Sequence, residues 1–262
     1  MNQKHLKDPL NKECIENGLN PFFNLILVDS TTSTNDWMKE NAAKLDAGTV
    51  LISNYQSQGK GRNQRSFYSP KDSGIYLSIL LKPDMEFDQI LKLTSCTSVA
   101  IYDAIEKNYG IQCQIKWVND ILIDYKKVAG ILCEGIFSNN QQSIIIGVGM
   151  NVHSHPFPDE LKDIAGCIED FSNQQVTRNE LIKDFLNHFY YYYQHLQTND
   201  FMDTYRNASC ILGKDIQVYE GNQIYNAYAL SINDQGHLIV KVNGKTRELN
   251  SGEITIRQQN QQ

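Results

Sequence analysis

A chain of 262 residues, 41% apolar and 21% charged, is long enough for one large hydrophobic core plus a small appended unit, and its composition is that of an ordinary globular protein. The formal net charge of −6 speaks against non-specific nucleic-acid binding as the main task, because that affinity comes from neutralising phosphates. No apolar run nears the roughly 20 residues of a membrane span, the start lacks a signal peptide's apolar core, and the six cysteines form no Cys-x-x-Cys pair, so a cytoplasmic protein without a disulfide framework or zinc site is expected.

Residues 1–20 are polar with little periodicity and are expected to form a loosely held arm. A first strand is predicted over 24–28. The cluster Asp29-Ser30-Thr31-Thr32-Ser33-Thr34-Asn35-Asp36 follows, in which Ser33 or Thr34 would cap a helix running to about Leu45, with Trp37, Met38 and Leu45 inward and Gly48 as its stop. This cluster holds more hydroxyls than a cap requires, which suits hydrogen bonding to a polar ligand beside the helix start.

A β-branched run at 49–53 and a second apolar run at 75–81 read as strands. Between them lies the loop 54–67, which holds Gly59 and Gly61 and the cations Lys60, Arg62 and Arg65. Glycines one residue apart let the backbone turn its N–H groups toward a bound group, and the cations surround that turn with positive charge, a combination suited to a phosphate or carboxylate. It is not a Walker loop, since Asn54 stands where the first glycine would be and Gly61 follows Lys60 in place of Ser or Thr. Taken alone, such a cluster is more often a solvated loop tip.

After Pro83, apolar residues recur at helical spacing from Phe87 to Ile105, and Gly110 closes that helix. Cys113, Ile115 and Trp117 mark one face of a strand. Strands at 121–123, 128–134 and 143–148 follow, the first two joined by a tight turn at 124–127, so this region reads as a hairpin-linked meander. Lys116 faces opposite to Trp117, and a half-buried lysine on a sheet wants an anionic partner. Thr177-Arg178-Asn179-Glu180 is a capping box opening a helix through Leu196 with Leu181, Ile182, Phe185, Leu186 and Phe189 inward. His153-x-His155, beside Pro156 and Pro158, reads as loop, and no metal site is expected. Short strands at 216–219, 226–232, 238–242 and 254–257, separated by turn residues that include Asn243-Gly244, describe a small β-barrel. The expected organisation is an arm at 1–20, a main domain at 21–208, a barrel at 209–258 and a polar tail at 259–262.

In order along the chain stand Ser33-Thr34-Asn35, Gln56-x-x-Gly59-Lys60-Gly61-Arg62-x-x-Arg65, Lys116-Trp117-x-Asn119-Asp120, Lys127-x-x-Gly130-Ile131-Leu132-x-Glu134, Gly147-x-Gly149-x-Asn151 and Ser251-Gly252-Glu253-Ile254. This set resembles the biotin protein ligases from about Phe22 to Arg257, in the monofunctional form that lacks an N-terminal DNA-binding domain. The family pattern differs at two places. The basic loop usually has arginine at Lys60, and lysine keeps the charge but loses the planar fork. Proline usually stands at Val118, and valine allows ordinary strand geometry.

The resemblance implies an α+β fold, a mixed, largely antiparallel sheet with helices on one face like that of class II aminoacyl-tRNA synthetases, plus a C-terminal SH3-like barrel. It implies an ATP-dependent ligase that makes biotinyl-5′-adenylate and transfers biotin to a lysine of a biotin carboxyl carrier protein, with ATP and Mg²⁺ as substrate and activator and no tightly bound cofactor. Arg62, Arg65, Lys116, Lys127 and Asp120 are its implied catalytic residues, Asp120 orienting or deprotonating the acceptor lysine. Ser33, Thr34, Asn35, Gln56, Gly59, Lys60, Gly61, Arg62, Lys127 and Gly130 are implied for biotin. For ATP or adenylate they are Arg62, Arg65, Phe67, Lys116, Asn119, Lys127, Asn151 and Arg257. No nucleic acid or membrane partner is expected, and the state is a monomer or a sheet-mediated homodimer. The rival readings are a lipoate or octanoate ligase or transferase of related fold and, from another class, a nucleic-acid-binding regulator.

Overall fold

The computed structural model describes residues 8–83, 90–138, 141–250 and 253–256. A short helix α1 (Lys12–Glu16) leads into β1 (Asn24–Val28), and α2 (Thr34–Asn41) precedes β2 (Thr49–Ser53) and β3 (Gly74–Leu81). A long helix α3 (Ile90–Tyr109) is followed by the meander β4 (Gln114–Lys116), β5 (Asp120–Ile123), β6 (Lys126–Ser138) and β7 (Gln141–Asn151). Helices α4 (Arg178–Gln194) and α5 (Asp200–Asn207) come next, and the chain closes with β8 (Asp215–Glu220), β9 (Gln223–Ile232), β10 (Leu238–Val242), β11 (Lys245–Leu249) and β12 (Glu253–Ile256).

The first seven strands form one sheet in the order β1-β2-β3-β7-β6-β5-β4, antiparallel except for the β1–β2 pair. Alternation along its strands splits the apolar residues between two faces. Val50, Ile52, Leu77, Ile79, Ile144 and Ile146 join the main core with α1, α3, α4 and α5. Leu51, Leu80 and Ile145 point the other way, onto Met38 and Ala42. The helices on the expected face are therefore complemented by α2 on the opposite one, and that second face carries the candidate site.

The last five strands form a separate antiparallel sheet, β11-β10-β9-β8-β12, consistent with an SH3-like unit. It is fastened to the rest of the chain: the Trp117 indole, just past the end of β4, donates to Gly236 O at 2.9 Å, Arg206 of α5 reaches Ile232 O and Asp234, and in the connection ahead of β8 the Cys210 N–H bonds Ile115 O at 3.0 Å.

Several expectations need correcting. Residues 8–20 are not a loose arm, because Ile15 is fully buried, Lys12 donates to Leu25 O at 2.8 Å, and Asp8 meets both His153 and the buried Arg178. The helix capped by Ser33 ends at Asn41 and finishes as a 3₁₀ turn at Ala42–Lys44. The strand with Trp117 stops at Lys116, and Val118 lies in a turn over 117–119, so it does not have ordinary strand geometry. Thr177 caps α4 with its hydroxyl on the Glu180 carboxylate at 2.9 Å, without the side-chain-to-backbone bond of a capping box. Helix α5 and strand β11 were not anticipated. Four of β11's five residues are exposed, so it shows no apolar alternation, and it is placed by the Asn243-Gly244 turn, both residues at positive φ. Arg257 and Ser251-Gly252 lie outside the described residues.

Candidate active site

The register of the large sheet aligns one residue from each of six strands. Ser53 pairs with Tyr76, Tyr76 with Gly149, Gly149 with Gly130, Gly130 with Asp120, and Asp120 with Lys116. Directly opposed antiparallel residues share a face, so Lys116, Asp120 and the two glycines point to the same side as α2. The next row contains Ser78, Gly147 and Leu132. Three glycines in two adjacent strands thus leave a floor without side chains.

That floor is filled from above. A Cβ added at Gly147 would lie 2.2 Å from Asn35 Oδ1, and one at Gly149 would lie 2.6 to 2.8 Å from the Phe67 ring. A Cβ at Gly130 would approach Lys127 Cε at 3.0 Å. Asn35, Phe67 and Lys127 therefore rest on backbone, and around them opens a cleft of about 450 Å³ including its mouth. Ser33, Thr34, Asn35, Gln56, Lys60, Gly61, Arg62, Phe67, Asn119, Lys127 and Gly130, all anticipated, line it together with Gly147 and Gly149.

One wall is the start of α2. Ser33 is the N-cap, its hydroxyl accepting the Asp36 N–H at 3.4 Å. Gln56 Oε1 accepts from the Thr34 N–H at 2.8 Å and hydroxyl at 3.1 Å, while its amide donates to Ser69 Oγ at 3.0 Å. Ser78 donates to Asn35 Oδ1, and Asn35 Nδ2 donates to Glu134 Oε2 at 2.9 Å. Ser33, Thr34 and Asn35 are each at most 4% exposed, so this is a buried, pre-aligned polar wall.

The basic loop forms a second wall. Phe67 N donates to Gly59 O and Gly61 N to Arg65 O, both at 2.8 Å, and Lys60 bridges Ser66, so 59–67 is a small hairpin closed by a 3₁₀ turn at Arg62–Gln64. Gly59 is buried, and a Cβ added there would lie only 2.4 Å from Phe67 O, so it shapes the loop rather than lining the cleft. The Arg62 guanidinium reaches an uncharged amide, Asn119 Oδ1, at 3.4 Å. Asn119 is fixed in turn by Ile131, donating to its carbonyl at 2.8 Å and accepting its N–H at 3.0 Å.

The third wall is the β5–β6 hairpin. Lys127 Nζ lies 2.6 Å from Asp120 Oδ1, with both side chains partly covered. Asn151, 4% exposed, donates to Lys127 O at 3.4 Å and so acts behind the cleft. Lys116 sits one strand beyond Asp120, and Arg65 is an exposed loop residue whose carbonyl closes the hairpin; neither lines the cleft.

Charged residues to which sequence reasoning gave no role surround this site. Asp36 holds Lys60 at 2.7 Å and Glu134 holds Lys39 at 2.6 Å, with Ser78 at the base of the polar wall. The hydrogen bond to Asp36 holds the Lys60 ammonium above the ordinary lysine value. Asp36 and Lys39 were legible as helix-spaced charges but carried no signal of a partner 24 or 95 residues away. Glu134 and the Gly147-x-Gly149 pair did stand in the ordered motifs. What could have given them a role is alternation: Glu134 follows Gly130 and Leu132 on one face of β6, and Gly147 and Gly149 stand opposite Leu132 and Gly130 on β7.

A profile of the Biotin/lipoate A/B protein ligase family matches residues 25–151. The bifunctional ligase/repressor BirA of Bacillus subtilis is 32% identical over 236 residues, covering 88% of this chain and 72% of that protein. The biotin–[acetyl-CoA-carboxylase] ligase of Mycobacterium tuberculosis is 28% identical, with 88% of each chain covered. Among solved structures, a biotin protein ligase from Aquifex aeolicus in complex with biotin and ATP superposes with a TM-score of 0.78 at 26% identity, over 89% of this chain and 98% of that one.

Proposed function

Because this chain belongs to the biotin protein ligase family, we propose that its cleft activates biotin with ATP as biotinyl-5′-adenylate and hands the acyl group to a lysine of a biotin carboxyl carrier protein. The observation that carries this reading is the convergence on one glycine floor of a polar helix start, a basic hairpin and Lys127. An uncharged hydrogen-bonding head, a carboxylate and a phosphate would each find a matching wall.

In the first step a carboxylate oxygen attacks the α-phosphorus, the bond to the β-phosphate breaks, and pyrophosphate leaves. Two anions must meet, so positive charge has to offset their repulsion and stabilise the phosphoryl group in flight. Arg62 and Lys127 are proposed for that role because they line the cleft. Lys116 and Arg65 are assigned a longer-range contribution to the field. Thr34, Asn35 and Gln56 would hold the ureido ring, and Phe67 with Asn119 would meet the adenine. In the second step the acceptor amine attacks the acyl carbon, loses a proton and expels AMP. Asp120, 2.6 Å from Lys127, would orient that amine. Mg²⁺ is proposed to enter as the counter-ion of the nucleotide phosphates.

The catalytic unit is assigned to the chain up to 208, with residues 8–20 packed into its core, and the appended unit to 209–258, with the cytoplasm as the setting. Among the described residues no helix is long and apolar enough to cross a membrane.

The test is acceptor labelling. Incubated with biotin, ATP, Mg²⁺ and a biotin carboxyl carrier domain, the protein is expected to add one biotin to the carrier's lysine. No product should form when that lysine is replaced by arginine. An unlabelled carrier, or labelling by lipoate in place of biotin, would overturn the assignment.

A further inference from the structure

Lys60 lines the cleft, yet its ammonium is already committed. It lies 2.7 Å from Oδ2 and 2.8 Å from Oδ1 of Asp36, the third residue of α2. A carboxylate in the first turn of a helix is favoured by the helix dipole, and the backbone of Asp36 is fixed by its N–H bond to the Ser33 hydroxyl, so Asp36 is presented from an ordered helix start. The preceding residues, Thr34 and Asn35, form the polar wall of the pocket.

On the loop side, the hairpin bonds from Phe67 N to Gly59 O and from Gly61 N to Arg65 O tie 59–67 into one piece. Lys60 therefore ties one bank of the cleft to that piece, and Arg62, reaching Asn119, touches the other. Lys39 does not substitute for Lys60, because it is engaged with Glu134 at 2.6 Å and stays 3.8 Å from Asp36.

We propose that Lys60 and Asp36 are positioning residues, an ion pair that fastens the basic hairpin to the start of α2 and so sets how long an acyl-adenylate is retained, while Arg62 on the same hairpin meets the ligand. This rests on the functional reading above for the identity of the ligand, but not for the fastening itself. It also revises the expectation that Lys60 binds biotin directly. Retention matters because a mixed anhydride is hydrolysed once water reaches it.

Trypsin cuts after Lys60, Arg62 and Arg65, so the hairpin reports its own opening without any ligand. Asp36→Asn keeps the size, the helix start and all three cleavage sites. Both side chains of the pair are partly exposed, at 46% and 28%, and losing such a pair shifts an equilibrium up to about fivefold. Cleavage of the hairpin in Asp36→Asn is expected to accelerate about two- to fivefold at low salt. The difference from wild type should vanish near 1 M salt, where the charges are screened. Lys60→Met should give the same acceleration at Arg62 and Arg65, and Lys60→Arg should behave as wild type.

In single-turnover experiments with biotin and ATP, loss of bound adenylate should rise by the same factor. Unchanged cleavage in both Asp36→Asn and Lys60→Met, or an acceleration that persists at high salt, would overturn the proposal. A wild-type protein that makes no adenylate would instead overturn the functional reading, and the cleavage result would still decide the role of the ion pair.

Discussion

The glycine floor gives the sharpest mutational test of how the site is built. In Gly147→Ala the new methyl would sit 2.2 Å from Asn35 Oδ1 and 2.8 Å from its Cγ, so the amide of Asn35 must leave. Leaving breaks the bond from Ser78 to Oδ1 and the 2.9 Å bond from Nδ2 to the Glu134 carboxylate. A neutral hydrogen bond contributes about 1 kcal/mol net and one to a charged group about 1.5–3 kcal/mol, so roughly 2–4 kcal/mol of stability is at stake. For a chain of this size that corresponds to a melting temperature lower by roughly 5–15 °C. The decisive assay is a double-mutant cycle by denaturant titration with Asn35→Ala. Once the amide is gone, the methyl of Gly147→Ala occupies vacated space and should cost under about 0.5 kcal/mol, making the two changes strongly non-additive. Biotin affinity by calorimetry should fall in each single variant. Additive costs, or a Gly147→Ala protein of wild-type stability, would refute the claim that Asn35 rests on bare backbone.

Other consequences are more local. Lys127→Ala removes a cleft cation and leaves the Asp120 carboxylate without its 2.6 Å partner, and single-turnover adenylate formation is expected to slow on the order of a hundredfold, which a rapid-quench measurement checks. Of the six cysteines, Cys14 is exposed and Cys133 half-buried, while burial pushes the thiols of Cys113 and Cys167 up to about 12 and raises those of Cys96 and Cys210; a thiol-reactive dye at pH 8 should titrate Cys14 quickly and those four buried thiols only on unfolding. Burial works to raise the Asp8 carboxyl, but its hydrogen bonds from His153 and Arg178 and their charges outweigh it and hold the group below its ordinary 3.8. A depressed carboxylate contributes stability that is present above the unfolded value and lost as pH falls through the folded one. Asp8→Asn should therefore be destabilised by about 2 kcal/mol near pH 7, because the buried Arg178 loses a charged partner, and urea midpoints of the two proteins should converge as pH falls below about 3.8.

The sequence made the large elements legible where an apolar period was strong. The strands at 24–28 and 49–53 match β1 and β2; β2, buried at all five positions, reads as the continuous run of a strand covered on both faces, while β1 at the sheet edge buries only Leu25 and is marked by its four successive aliphatic residues. What stayed illegible depended on distant partners. Residues 8–20 look featureless, yet Asp8 and Asn11 dock onto α4 through residues about 170 positions away, and no local pattern encodes that. Strand β11 borrows its order from β10 across a two-residue turn.

Much of the candidate site could be read from the ordered motifs, but their division of labour could not. Lys60 and Arg62 stand two residues apart in one basic loop, and only the three-dimensional arrangement sends one to Asp36 and the other to Asn119. Asn151 and Gly59, expected to meet ligand, stand one layer back, where they shape backbone that does line the cleft.

The central claim is that this cleft joins the carboxylate of biotin to the α-phosphate of ATP. Its most direct measurement is biotin-dependent exchange of labelled pyrophosphate into ATP with Mg²⁺, run beside lipoate and octanoate and repeated with Lys127→Ala. Exchange with biotin alone, reduced on the order of a hundredfold in the variant, is the predicted result. Exchange that is absent with biotin, or that follows lipoate or octanoate instead, would contradict it.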